Sequence, residues 1–352
     1  MRIRKITAGL LGGVMAASIL AGCGSINKDE VVATFNDQEI TLGVANFAAR
    51  LQQATYDDFY TMYFGEKVWS TDMYGQGTTM EESLKSNSIK GIQAMYTLNA
   101  HADEYNIALT DEEKAAITKA AETFIADNSK EALDAMGATK EIVEEYLSLA
   151  TIQTHMYDAI IAEADTEVSD EEANTSSYSY VTVSKTSTTD ADGNTVTYTE
   201  DDLKLLATQV EAFDEDAKEN GLESAAETAG YTVSTGTFTA DTDSIDEAVL
   251  TALQGLDEGE VSDLIELDSS YYVVRLDAKT DAKATEETRQ SIISERQSDH
   301  YSEVLSGWED SSTWTLNEKV WAKVSFDNLF TTAEESTEAA GATESAADTT
   351  EQ

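Results

Sequence analysis

Leu256-Asp257-Glu258-Gly259-Glu260-Val261-Ser262, followed by Ser270-Tyr271-Tyr272-Val273-Val274-Arg275-Leu276, is the stretch on which the reading of this chain turns. Gly259 marks a turn, and the second run is rich in aromatic and β-branched residues, so residues 269–276 read as a strong strand. Upstream, Tyr178 to Thr186 has the same alternating character and reads as a second strand. Between them the pattern predicts a helix over 201–220 ending at Gly221, a shorter one over 222–229, an extended run over 231–238 and a short helix over 246–254 before Gly255. Asp190-Ala191-Asp192-Gly193-Asn194 reads as a turn, with residues 195–198 returning as its hairpin partner.

Outside this module the chain reads differently. Val31–Phe35, Asn36-Asp37 and Gln38–Thr41 give a strand, a turn and a short second strand. Apolar residues then recur at helical spacing from Leu42 (Val44, Phe47, Ala48, Leu51), and further helices fit 80–105 and 140–164. Thr110-Asp111-Glu112-Glu113 is a capping-box pattern opening another helix, and Gly137 is a stop signal. Residues 286–308 read as a late helix with Ile292, Ile293, Val304, Leu305 and Trp308 on its apolar side. Lys319–Phe326 alternates and is expected to be a strand paired with Val31–Phe35. From Thr331 to Gln352 only small and acidic residues remain, which predicts disorder.

The N-terminus reads as an address. Arg2, Arg4 and Lys5 precede an apolar, charge-free run from Ile6 to Ala21, too short for a comfortable membrane span. Leu20-Ala21-Gly22-Cys23 resembles a bacterial lipobox, in which the Cys thiol is acylated and the chain is cut before it. An ordinary signal peptide with a chance Cys is the plainer alternative, but Cys23 is the only cysteine in the chain. The tether from Cys23 to Asp29 spans at most about 23 Å at roughly 3.3 Å per residue, which would hold the folded body close to the outer face of a bilayer.

Composition bounds the partners. The 352 residues carry 22 Lys and Arg against 68 Asp and Glu, a net charge of −46. Such a surface repels nucleic acid and anionic lipid, so attachment to a bilayer has to come through acyl chains. One cysteine excludes an internal disulfide, and the chain has no proline at all. The three histidines, His101, His155 and His300, show no zinc spacing, so neither a metal nor a cofactor is expected. Asp190-x-Asp192-x-Asn194 begins like an EF-hand loop, but its glycine falls at 193 and its twelfth position is Asp201. The acidic runs read as solvated faces, and whether they take Ca²⁺ is left open.

With these elements in place, the module resembles a parvulin domain. Parvulins typically show Leu-x-x-Gly-Glu-Val-Ser and then Gly-Tyr-His-Ile-Ile-Lys-Leu, which the opening stretch follows closely. Tyr178-Ser179-Tyr180-Val181-Thr182-Val183 sits where parvulins have Ala-Ser-His-Ile-Leu-Val, and Gly236-Thr237-Phe238 where they have Leu-Gly-x-Phe. With the lipobox and the helical segments around it, the whole chain is similar to PrsA/SurA-type extracytoplasmic foldases. The resemblance implies an α+β fold: a mostly helical composite chaperone lobe with an inserted parvulin-like domain built on an antiparallel sheet. The expected organisation is a signal peptide over 1–22 and a lipidated tether over 23–30. A helical lobe over 31–168 and a parvulin-like domain over 175–280 follow. A helix and strand over 283–327 return to the lobe, and an acidic tail fills 331–352.

The resemblance also locates a site and its departures. The two family histidines align with Tyr180 and Tyr272, Phe238 is kept, and the Met and Phe of the apolar substrate pocket align with Ile245 and Val249. The loop carrying the family's Cys or Asp is largely replaced by Tyr231-Thr232-Val233-Ser234. Prolyl isomerisation twists an amide through a barrier of about 18–20 kcal/mol. Tyr donates one hydrogen bond but does not reproduce a paired imidazole network. Isomerase activity is therefore expected to be weak or absent, with Tyr180 and Tyr272 stacked as a core pair.

A second candidate is residues 56–74, which hold Tyr56, Phe59, Tyr60, Tyr63, Phe64, Trp69 and Tyr74 together with Met62 and Met73. These rings are either the core of the helical lobe or an adaptable apolar surface for unfolded chains. The expected function is a membrane-anchored foldase or holdase whose partners are unfolded exported polypeptides, with oligomeric state undetermined. An active parvulin-type isomerase and a solute-binding or adhesive surface lipoprotein are the alternatives.

Overall fold

The fold is described from a computed structural model, which covers residues 15–18, 26–189 and 193–332. Cys23, the rest of the expected signal peptide, the tip of the 190–194 turn and the tail beyond 332 lie outside these residues. The chain forms two compact units: one from the residues up to 164 together with those from 299 onward, the other from 165–298.

The first unit opens with β1 (Met15–Ser18), β2 (Val31–Phe35) and β3 (Gln38–Thr41). β2 and β3 pair antiparallel across a turn in which Asn36 takes a left-handed conformation at φ 51°. That conformation suits Asn, whose short polar side chain tolerates it. α1 (Leu42–Phe64) follows at once and ends at Gly65. α2 (Met80–Ala100) and α3 (Asp111–Asp127) each start on a full capping box, Thr79 with Glu82 and Thr110 with Glu113. In each, the Thr hydroxyl accepts from the Glu backbone N–H while the Glu carboxylate accepts from the Thr backbone N–H. α4 (Lys130–Met136) stops at Gly137, whose φ of 64° is left-handed, and α5 (Lys140–Ile161) follows. One core gathers Val32, Phe35, Ile40, Leu42, Ile92 and Tyr96; the other packs Phe47 and Leu51 of α1 against Phe124, Val143 and Leu147.

The second unit runs through α6 (Asp170–Ala173), β4 (Ser176–Ser184) and a hairpin of β5 (Ser187–Thr189) with β6 (Thr195–Thr197). Then come α7 (Glu200–Asn220), α8 (Leu222–Ala229), β7 (Ser234–Phe238), α9 (Glu247–Gly255), β8 (Ile265–Glu266) and β9 (Ser270–Ala278). The sheet order is β7-β4-β9-β8, all antiparallel. Period-two alternation gives it two apolar faces. Val181, Val183, Tyr271 and Val273 pack against Val210 and Phe213 of α7 and Ala225 of α8. Tyr178, Val274 and Leu276 pack against Val249 and Leu253 of α9. The Gly-Glu-Val-Ser run lies along β9. Gly259 N–H donates to the Leu276 carbonyl at 2.7 Å, and Ser262 N–H donates to the Val274 carbonyl at 2.8 Å.

α10 (Ala282–Ser311) leads back to the first unit. It buries no residue fully, but Tyr301, Val304, Leu305 and Trp308 pack on Leu98, Ile152, Met156 and Ile160. Here one expectation is corrected. The strand that pairs with β2 is β10 (Trp314–Leu316), with Trp314 opposite Phe35 and Leu316 opposite Ala33. Residues 319–321 instead belong to α11 (Glu318–Trp321), whose N-cap Asn317 accepts from Val320 N–H. Val320 and Trp321 are both buried on this helical turn, and Val324 and Phe326 enter the core behind them. β11 (Leu329–Thr332) pairs antiparallel with β1, so Thr331 and Thr332, assigned to the disordered tail from sequence, are in a strand. Residues 15–18, assigned to the signal peptide, supply its partner.

Candidate functional site

The sheet of the second unit brings the parvulin-equivalent positions together. β4 and β9 are neighbours in a register that sets Tyr180 opposite Val274 and Thr182 opposite Tyr272, so Tyr180 and Tyr272 are diagonal neighbours on one face. Their rings lie 6.1 Å apart, tilted by only 25°. Both are half-buried, so they form neither an open pair nor a closed core. Phe238 and Val249 are buried in the same cluster, with Ile245, Leu250 and Ile265 at its border. All five residues expected from sequence thus share one apolar face.

Tyr178, which sequence reasoning did not single out, completes the face. Its ring is 5.5 Å from that of Tyr180 and 5.9 Å from that of Phe238. Burial, and then the neighbouring phenols of Tyr180 and Tyr272, push its ionisation above the ordinary tyrosine range. The signal was present in the spacing: Tyr178 and Tyr180 are two apart on one strand and must share a face. The result is a row of three phenols against aliphatic side chains, able to seat an apolar ring and to donate hydrogen bonds.

No imidazole joins this face. His101 stacks on Trp308 with centroids 4.3 Å apart, His155 is bonded to Glu113 at 2.7 Å, and His300 lies 3.9 Å from Glu163, all within the first unit. Among the described residues no group of three or more His, Cys, Asp and Glu side chains is placed to hold a metal ion. On the opposite face of the sheet a shallow cavity of about 680 Å³ opens beside β4, α7 and α8, lined in part by Tyr198, Phe213 and Tyr231.

The aromatic stretch of the first unit divides in two. Trp69 is buried, 3 % exposed, and packs edge-on against Phe326 with centroids 5.2 Å apart. Tyr60 is half-buried and bridges Trp69 to Tyr56, Phe59 and Phe64. The others point outward: Phe59 is 55 % exposed, Tyr63 66 % and Tyr74 77 %, with Tyr56, Met62 and Phe64 also exposed. Helical spacing explains the split. Tyr56, Tyr60 and Phe64 follow at i, i+4 and i+8, and Phe59 and Tyr63 pair at i, i+4 with rings 4.7 Å apart. The last turns of α1 thus carry a continuous ladder of rings that starts in the core and ends in solvent.

Beneath the ladder runs a polar seam that sequence reasoning missed. Asn46, Arg50, Gln53 and Asp57 recur at spacings of four, three and four along the buried side of α1. Arg50 donates to the carbonyls of Ser325 and Asn328, at 2.6 and 2.9 Å. Asp57 accepts from Trp69 Nε1 at 2.5 Å, from Phe330 N–H at 2.7 Å and from Gln53. Burial pushes the Asp57 carboxyl up to about 6, against the opposing pull of these bonds and of the Arg50 charge. Polar residues at core spacing in an otherwise apolar helix were the available signal.

Residues 184–290 match the model of the PPIC-type PPIase domain family. Tyr272, Phe238, Ile245 and Val249 fall inside that match; Tyr178 and Tyr180 immediately precede it. No curated protein sequence matches the chain. Among solved structures, the chain is similar to the foldase protein PrsA from Lactococcus lactis at 18 % identity, over 84 % of this chain and 97 % of that one, with a TM-score of 0.32. It is also similar to a structure from Campylobacter jejuni described under the SurA-like chaperones PEB4 and Cj1289, at 12 % identity over 81 % and 98 % of the two chains, with a TM-score of 0.28. The stretch similar to the PPIC-type PPIase domain family thus lies within the second unit.

Proposed function

We propose that the chain is a lipid-anchored extracytoplasmic foldase that acts mainly as a holdase for unfolded exported polypeptides. The observation that carries this reading is the exposed ring ladder of Tyr56, Phe59, Tyr63 and Phe64 on the last turns of α1, with Met62 and Tyr74 also exposed. A contiguous apolar patch of this kind on a protein surface marks an interaction site. Aromatic rings and a flexible Met adapt to clients of varied sequence. The charge of −46 keeps such a sticky surface from self-association and favours basic clients. Acylation of Cys23 would supply the membrane attachment; no helix among the described residues is long and apolar enough to cross a bilayer.

The reading assigns the tyrosine face little catalytic power. It offers a seat for a proline ring but no imidazole pair to exchange protons near the twisting amide. The test is suppression of aggregation of a chemically unfolded model client by the full chain. Phe59→Ser with Tyr63→Ser is expected to remove most of the suppression, and full suppression by that variant would overturn the reading. The rival reading, an active isomerase, is favoured by the convergence of Tyr180, Tyr272 and Phe238. It requires peptide isomerisation well above background that falls in Tyr272→Phe.

A further inference from the structure

Along one edge, β11 is fastened to α1 of the first unit. Phe330 is 2 % exposed, its ring lies 4.7 Å from the Arg50 guanidinium, and its N–H donates to Asp57. Because the Phe330 N–H points to α1, strand alternation turns the backbone groups of Leu329 and Thr331 to the other side. On that side lies β1, with Ala16 opposite Thr331 and Ser18 opposite Leu329, which makes these the hydrogen-bonded pairs of the ladder. β1 also lies beside α4. The strand seated on β11 is therefore Met15-Ala16-Ala17-Ser18, part of the charge-free run that the sequence assigns to the signal peptide.

We propose that the β11 edge is a strand-addition site for an extended, uncharged apolar segment of an exported polypeptide, occupied in the precursor by the chain's own leader. Removal of the leader hands the edge to a client, so the uncut chain is self-blocked and the processed chain is competent. The apolar run of the leader around this strand, residues 13–20, has the chemistry of the intended occupant: small and aliphatic side chains, no charge and no proline, so every residue can donate to a ladder. A template fastened by Arg50 and Asp57 stays ordered whichever strand lies on it. Handover to a client rests on the exported-client reading above, whereas the strand site itself is tested without it.

The test uses the full-length chain and a fluorescent synthetic peptide of the sequence of residues 13–20, with binding read by anisotropy. Ala16→Pro removes the donor at the Ala16–Thr331 pair and releases the leader strand. The variant is expected to bind the peptide at least tenfold more tightly than the unsubstituted chain. Thr331→Pro added to Ala16→Pro is expected to abolish binding, whereas Thr331→Val, which keeps the N–H, retains it. Equal binding by the unsubstituted chain and Ala16→Pro, or none by either, overturns the proposal. Should Thr331→Pro fail to fold, a photoreactive version of the peptide on Ala16→Pro is expected to cross-link within 329–332. Cross-linking confined to 59–74 would overturn the proposal. Aggregation suppression by the same Ala16→Pro and Thr331→Pro variants is measured in parallel, so failure of the holdase reading is read apart from failure of the strand site.

Discussion

Tyr178 lies across Gly236, its register partner on β7: a Cβ built on Gly236 would stand 2.7 Å from Cε1, Cζ and Oη of the phenol. The glycine is there because the ring needs its space, and the ring in turn covers backbone that a glycine leaves bare. This pairing fixes the edge of the tyrosine face and so the tilt of Tyr178 against Tyr180 and Phe238. Gly236→Ala should therefore lower the stability of the chain by about 1–3 kcal/mol, the range for overpacking. Tyr178→Val in the same chain should recover part of the loss by removing the clashing ring. Urea denaturation of the two single variants and the double variant measures the coupling, and strict additivity would refute the contact.

The ring ladder on α1 makes a contrasting pair of predictions. Trp69 is buried and hydrogen-bonded, so Trp69→Ala should cost about 3–5 kcal/mol, as for other large core truncations. Phe59 and Tyr63 are exposed, so Phe59→Ser and Tyr63→Ser should each move stability by no more than about 0.5 kcal/mol. Thermal denaturation distinguishes the two classes. A large loss at Phe59 or Tyr63 would return those rings to the core and remove the basis for a binding surface.

Asp57 gives the first unit a specific pH dependence. Its carboxyl is raised to about 6 in the folded chain from an ordinary value of 3.8, so between these values the folded state binds more protons than the unfolded one. Stability from this group is fully present below 3.8 and is lost as pH rises through 6. The span corresponds to about 2–3 kcal/mol at about 1.4 kcal/mol per unit. Many other carboxylates titrate in the same window, so the comparison has to be made with Asp57→Asn. The gain in stability from pH 7.5 to pH 4 should be smaller in the variant by about 2 kcal/mol, measured by urea denaturation at each pH. An unchanged gain would show that Asp57 does not titrate as its burial demands.

Local rules carried the sequence reading furthest where local chemistry decides. Thr110 with Glu113, Gly137, and the alternation of Tyr271 to Leu276 each specify a cap, a stop or a strand through their own side chains and backbone. The reading failed where two segments compete for one partner. Residues 319–326 alternate well enough to be a strand, yet Asn317 caps a helical turn there, and the shorter Trp314–Leu316 takes the place beside β2. Nothing in the alternation of 319–326 reports that competition. The tyrosine face was legible at Tyr180 and Tyr272 because family positions pointed to them; Tyr178 was passed over because no such position did. The seam of Arg50, Gln53 and Asp57 was passed over for another reason. Its partners are backbone groups of 325–330, some 275 residues away, and backbone groups carry no sequence signal.

That seam yields the last prediction. The Arg50 guanidinium sits 5.5 Å from the Phe326 ring centroid and 4.7 Å from that of Phe330, and it donates to two carbonyls in different directions. A planar fork can serve both rings and both carbonyls at once; an ammonium is compact and more strongly hydrated. Arg50→Lys should therefore cost about 2–4 kcal/mol, because a charge 1 % exposed keeps its desolvation penalty while losing partners. Lys323 with Glu30 is the control: it also ties this returning segment to the start of the unit, but both side chains are partly exposed. Lys323→Ala should cost no more than about 1 kcal/mol. Arg50→Lys should also speed proteolytic cleavage near 325–330, where β11 is fastened, whereas Lys323→Ala should not. Equal behaviour of the two variants would mean that the returning segment is held by its apolar contacts alone, with Phe326 and Phe330 sufficient without the seam.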